Sequence, residues 1–204
     1  PCLWLAVVGK ISPQRVLSND RARPGDLLVL TKPLGLGIIT TAAKNGEDKL
    51  GAIADAIRLM STLNRIAGEE IARCDAVHAL TDVTGFGLLG HLRNIVAAGK
   101  VDARVYCERV PVLQAAREYV QAGISPGGTH ANHRFLAEWV TYAADVTKED
   151  QLLLCDAQTS GGLLASVAPE AAETLVQTLQ RRGIAAASII GRIEAGTTGR
   201  IFVD

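Results

Sequence analysis

Apolar residues fall in two rhythms along this chain, short unbroken runs and longer stretches spaced at three and four. Leu27-Leu28-Val29-Leu30, after the turn Pro24-Gly25-Asp26, reads as a strand. Val77-His78-Ala79-Leu80, Ala103 to Tyr106, Leu163 to Val167, Ala187 to Glu194 and Arg200 to Val203 read as further strands, and Leu3 to Val8 as an opening one. Helical spacing predicts a short helix over Ile38 to Lys44, closed by Asn45-Gly46. A long helix is expected from about Glu47 to Ala72, with Leu50, Ile53, Ile57, Met60, Leu63, Ile66 and Ile71 as one apolar stripe. Others are expected over Leu88 to Ala98, Val112 to Gln121 and Pro169 to Arg182, the last with proline at its start and Gly183 beyond its end. Ser125-Pro126-Gly127-Gly128-Thr129 reads as a loop, and Thr147-Lys148-Glu149-Asp150 as a capping box ahead of Leu152-Leu153-Leu154. The fold class is α+β, a mixed sheet packed with helices.

Composition narrows the function classes. The 204 residues carry 21 Lys+Arg against 21 Asp+Glu, so there is no basic nucleic-acid footprint. Cys2-Leu3-Trp4-Leu5-Ala6-Val7-Val8 breaks at Gly9-Lys10, too short for a membrane span and without the flanks of a secretory signal. With Pro1 first and Met60 the single methionine, the chain reads as a fragment. Cys2, Cys74, Cys107 and Cys155 form no C-x-x-C pair, which fits a cytoplasmic protein, and Cys155 reads as a buried small residue.

The chemistry concentrates in Leu80-Thr81-Asp82-Val83-Thr84-Gly85-Phe86-Gly87-Leu88-Leu89-Gly90-His91. A strand delivers a carboxylate, glycines allow close approach, and a helix begins, so amides converge where an anion can sit with Asp82 as a hard oxygen ligand beside it. The competing reading is a turn cap with packing glycines. In Asp156-Ala157-Gln158-Thr159-Ser160-Gly161-Gly162, the Gln, Thr and Ser either donate to a ligand or satisfy their own turn. Lys32, before Pro33-Leu34-Gly35-Leu36-Gly37, matches no phosphate-loop pattern and reads as solvated. His130 and His133 share a helical turn without a recognisable ligand motif around them, and His91 fits a packing or capping role in a helix interrupted by Gly90.

These segments, with Leu5-Ala6-Val7-Val8-Gly9, Leu30 to Gly37, Pro126-Gly127-Gly128-Thr129 with Asn132, and Cys155 to Leu164, resemble the selenophosphate synthetase (selenide, water dikinase) family in order and across essentially the whole chain. That family belongs to the aminoimidazole-ribonucleotide-synthetase-like superfamily. Ala157 departs from it, standing where the family usually has proline. The resemblance implies ATP-dependent conversion of selenide and water to selenophosphate, AMP and phosphate, with Mg²⁺ and ATP held between two halves of a subunit and dimerisation through the amino-terminal half. Asp82 matches a metal ligand of the carboxyl half, and Thr84, Gly85, Gly87 and Thr159 match supporting cofactor-binding positions.

No catalytic residue is matched, because the family's reactive cysteine or selenocysteine and its adjacent lysine belong to an amino-terminal segment. Residues 1–20 are expected to be a strand and linker from that half and 21–204 the carboxyl-terminal domain, inactive alone. Selenide and ATP are the expected small-molecule substrates, with no nucleic acid or membrane partner. A sister enzyme, such as aminoimidazole ribonucleotide synthetase or thiamine-phosphate kinase, should lack the Gly-Phe-Gly-Leu-Leu-Gly-His run. A non-enzymatic nucleotide- or partner-binding paralogue is the alternative from another class.

Overall fold

Val29 and its neighbours Leu28 and Leu30 point to opposite sides of one sheet, and all three are completely buried, so both faces of that sheet are covered. The computed structural model describes residues 8, 9, 11 and 16–204. Apart from Val8, the expected opening strand lies outside them. Among the described residues seven strands form a single sheet in the order β2-β5-β1-β6-β3-β7-β4. They are β1 (Leu27–Leu30), β2 (Val77–Asp82), β3 (Asp102–Val105), β4 (Val140–Tyr142), β5 (Leu163–Val167), β6 (Ser188–Glu194) and β7 (Ile201–Val203). Pairing is antiparallel at β2/β5, β5/β1, β1/β6 and β6/β3, and parallel at β3/β7 and β7/β4. The sheet is mixed, as expected.

Among the described residues eight α-helices accompany it: α1 (Leu36–Lys44), α2 (Ile53–Ser61), α3 (Arg65–Arg73), α4 (Gly87–Gly99), α5 (Gln114–Gln121), α6 (Gly127–Leu136), α7 (Lys148–Leu154) and α8 (Pro169–Arg181). On one face Leu28, Leu30, Ala103, Val105 and Ile201 pack with Leu88, Leu89, Leu92, Ile95 and Val96 of α4. On the other, Val29, Val77, Ala165 and Val167 meet Ala67 and Ile71 of α3 and Ala172, Leu175 and Leu179 of α8. A third cluster joins α1, α2, α5 and α7 through Leu36, Ile38, Ile39, Ala56, Tyr119, Val120 and Leu153. Burial of these side chains is the main stabilising contribution.

Three local expectations are corrected. The long helix over Glu47 to Ala72 is two helices, α2 and α3, parted at Thr62, which is extended (φ −74°, ψ 116°). Asp48 accepts from the amides of Ala52 and Ile53 at 2.9 and 3.0 Å, fixing where α2 starts. The Ser61 and Thr62 hydroxyls bond back to Ile57 and Arg58 at its end. Leu50, Ile57 and Leu63, counted in the apolar stripe, are exposed. The loop expected at Gly127-Gly128 is the first turn of α6, where tertiary anchors on Thr129 and Asn132 override the poor helix propensity of glycine. Helix α4 runs through Gly90 without interruption. A Cβ there would lie 2.7 Å from Cβ of Phe86, so the glycine makes room for that ring. Only the N-cap half of the expected capping box forms: Thr147 Oγ1 accepts from Asp150 N at 3.2 Å, while the Asp150 carboxylate accepts from the Thr147 hydroxyl rather than its amide.

Candidate functional site

Strand β2 runs beside β5 with Asp82 opposite Leu163, so the two segments carrying the candidate chemistry meet at the same end of the sheet. Val83 N donates to Gly162 O at 2.8 Å and Gln158 N to Thr84 O at 3.0 Å, which lays the 83–87 loop against the 156–162 turn. Asp82, Gly85 and Thr159 are exposed and Thr84 is half-buried along this rim. No hydrogen bond among the described residues engages the Asp82 carboxylate, which leaves its oxygens open to a hard cation. No group of three or more His, Cys, Asp or Glu side chains placed to hold a metal occurs among the described residues. Asp82 therefore fits one position in a Mg²⁺ shell, the remainder coming from elsewhere.

Gly87 plays a different part. Its φ is +70°, and a Cβ there would stand 2.6 Å from Cys155 O, so its missing side chain admits the protein's own backbone. Gly85 has open space around it, and its carbonyl accepts from Asn132 Nδ2 at 2.9 Å. Asn132 also donates to Cys155 O at 3.1 Å. His91 takes the packing role expected: Nε2 accepts from Thr84 N at 3.0 Å and lies 3.0 Å from Thr84 Oγ1. Burial lowers its pKa below the ordinary value, while the nearby Asp82 charge opposes that. The neutral ring is what the Thr84 amide requires.

Beneath the rim sits Asp156, fully buried. One oxygen accepts from Gly37 N at 3.0 Å, Ile38 N at 3.4 Å and Gln158 Nε2 at 2.9 Å; the other accepts from Thr129 Oγ1 at 2.9 Å. A single carboxylate thereby ties the first turns of α1 and α6 to the turn that carries Thr159. Burial pushes its pKa up to about 6, against the lowering effect of those four donors. Gln158 is buried and bonds Leu36 N, Asp156 O and Asp156, so of the two readings of this turn it satisfies the protein itself. A carboxylate in a polar, glycine-rich turn is ordinarily solvated, and nothing in spacing marks Asp156 as the exception.

Lys32 is corrected outright. It is buried, and Nζ donates to Thr62 O at 2.7 Å, Ser160 O at 2.9 Å and Leu59 O at 3.3 Å. The ammonium caps the carbonyl end of α2 while holding the backbone of Ser160. Ser160 itself adopts φ +52°, a conformation that needs such support. Burial lowers the lysine pKa.

His130 and His133 share α6 but take different partners, Ser125 Oγ at 2.8 Å and Gln151 Oε1 at 2.9 Å. Cys155 is buried, and burial raises its pKa to about 11, so it is no nucleophile.

Residues 23–204 match the family model described as AIR synthase related protein, C-terminal domain. The "Selenide, water dikinase" of Myxococcus xanthus is 43% identical over 200 residues, covering 98% of this chain and 56% of that relative. The protein of the same name from Pelobacter propionicus is 41% identical, covering 98% and 57%. The chain thus spans a little over half the length of the curated relatives it matches. Among solved structures, the hydrogenase maturation protein HypE aligns with a TM-score of 0.68 at 20% identity, over 94% of this chain and 52% of that one. Thiamine-monophosphate kinase from Stenotrophomonas maltophilia aligns with a TM-score of 0.66 at 21% identity, over 95% and 54%. At such identities the likeness establishes the fold. The chain belongs to the AIR synthase related family, as its C-terminal domain, and its sequence stands beside the selenide, water dikinases.

Proposed function

We propose that this chain is the carboxyl-terminal half of a selenophosphate synthetase. In that reading the whole protein converts ATP, selenide and water to selenophosphate, AMP and phosphate, works in the cytoplasm and pairs as a homodimer. The observation that carries it is the exposed rim in which Asp82, Thr84, Gly85 and Thr159 are brought together at one end of the β2/β5 pair. Support also comes from relatives about 40% identical across nearly the whole chain, each called a selenide, water dikinase. A crystal structure titled as HypE in complex with ATP shares the fold.

Asp82 would hold one Mg²⁺, an ion that neutralises phosphate oxygens and orients a triphosphate. Thr84, Gly85 and Thr159 line the same edge with a hydroxyl, an open backbone and a second hydroxyl. Gly87, Asn132, His91 and Asp156 keep that edge in place from below. In this reading 21–204 is the carboxyl-terminal domain.

One carboxylate cannot complete the octahedra of the metal ions that accompany a triphosphate, so the chain alone is inactive. Phosphorus NMR with ATP, selenide and Mg²⁺ tests both statements. The full-length protein is expected to yield selenophosphate and AMP, and this chain neither. Selenophosphate from the isolated chain would overturn the inactivity, and its absence from the full-length reaction would overturn the assigned activity.

A further inference from the structure

The opposite end of β2 carries a second constellation that the proposed reaction does not use. His78 lies four residues before Asp82 on this strand, roughly 13 Å away at about 3.3 Å per residue. It lines a cavity of 490 Å³ together with Arg21, Arg23, Arg73 and Asp75. That size falls in the range of small-molecule sites.

The histidine is built in rather than merely present. Nδ1 lies 2.8 Å from Oδ1 of Asp26, and Asp26 is itself buried, accepting also from Ser166 Oγ at 2.6 Å and Arg23 N at 3.0 Å. The carboxylate fixes the ring and places the proton on Nδ1, so Nε2 is the nitrogen left without a partner among the described residues. Once protonated, the ring offers Nε2–H as a donor with its charge balanced by Asp26. A buried carboxylate that orients a histidine beside a cavity is the arrangement by which proteins hold an imidazole ready for a ligand.

The guanidiniums around it differ in how far they are committed. Arg73 is committed to Glu70 at 2.6 Å. Arg21 and Arg23 have no carboxylate within ion-pair distance among the described residues. Positions 1–19 supply none, because the first acidic residue of the chain is Asp20. Arg21 and Arg23 thus outnumber Asp75, the carboxylate that lines the same wall. Two guanidinium forks and one oriented imidazole suit the tetrahedral oxygens of a phosphate.

We infer that this cavity binds a phosphate-class oxyanion, inorganic phosphate or a phosphate monoester, through Arg21, Arg23 and His78. The site stands apart from Asp82 and does not depend on the proposed reaction.

Nitrogen-15 NMR of the histidine rings and arginine side chains, with inorganic phosphate titrated at constant ionic strength, tests it. The expected result is a saturable shift of the His78 ring and of the Arg21 and Arg23 Nε–H signals. Arg21→Gln/Arg23→Gln should weaken that binding about tenfold or more, His78→Gln should weaken it as well, and Asp82→Asn should leave the curve unchanged. Shifts that grow without saturating, curves identical in the double arginine variant, or a response only to long polyanions would each overturn the inference. Circular dichroism of each variant identifies one that fails to fold, and Arg21→Lys, which keeps the charge but loses the fork, then takes its place with an intermediate affinity expected.

Discussion

The rim and the bracket beneath it are drawn from the same short segments yet are built on opposite principles. Asp82, Gly85 and Thr159 are exposed, with Thr84 between them. Asp156, Gln158 and Lys32 are buried and every polar atom named on them has a partner inside the protein. Within seven residues, Asp156 to Gly162, the chain passes from a buried strut to an exposed hydroxyl and back to packed glycine, where a Cβ on Gly162 would meet Lys32 N at 2.5 Å. Motif residues divide into those that can meet a ligand and those that hold the first group still. Substitutions should separate the two, by stability in the bracket and by activity at the rim.

The largest stability effect is expected from Asp156→Ala. It strands the Gly37, Ile38, Gln158 and Thr129 donors in a dry site, and a loss on the order of 4 kcal/mol should appear in urea unfolding. A loss below about 1 kcal/mol would show that the bracket is not the support of the rim.

Next is the pH dependence of Asp156. The folded carboxyl keeps its proton up to about 6, and an exposed one loses it near 3.8. Between these values the folded state binds more protons, so this group favours folding most below 3.8, and its contribution is lost as pH rises through 6. The total is up to about 3 kcal/mol. Asp156→Asn removes the titration while its amide still accepts from Gly37 and donates to Thr129. The stability difference, variant minus wild type, should therefore grow as pH rises from 4 to 7. A difference flat across that range would contradict the buried charge.

Lys32→Met comes third. The methionine fills the same space but leaves the carbonyls of Thr62, Leu59 and Ser160 without the ammonium, at a cost of about 2 kcal/mol in thermal or urea unfolding. Amide exchange at Thr159 and Ser160 should quicken more than in the strands. Equal protection of the turn in both proteins would break the link from bracket to rim.

Strand patterning was the most legible layer, because the unbroken apolar run at Leu27 to Leu30 and the runs at Leu163 and Ala187 report burial directly. β4 escaped notice because three residues, Val140–Tyr142, show no period. The parting of α2 from α3 was hidden by an apolar stripe that continues in sequence through Leu63, which is exposed. The rim was readable from Asp82 and the glycines around it. The bracket was not, since Asp156, Lys32 and the Asp26–His78 pair belong to residue types that are usually solvated, and only long-range contacts bury them. The partners of Asp156 lie as far as 119 residues away in sequence.

At the rim the stability effect should be smallest. Asp82→Asn, on an exposed side chain with no partner among the described residues, is expected to change unfolding free energy by less than about 0.5 kcal/mol. The most direct test of the account is therefore selenophosphate formation by the full-length protein carrying Asp82→Asn, measured across a Mg²⁺ titration. A loss of about a hundredfold or more at limiting Mg²⁺, partly recovered as Mg²⁺ is raised, with unfolding unchanged, is the predicted result. Unchanged turnover at limiting Mg²⁺ would contradict it.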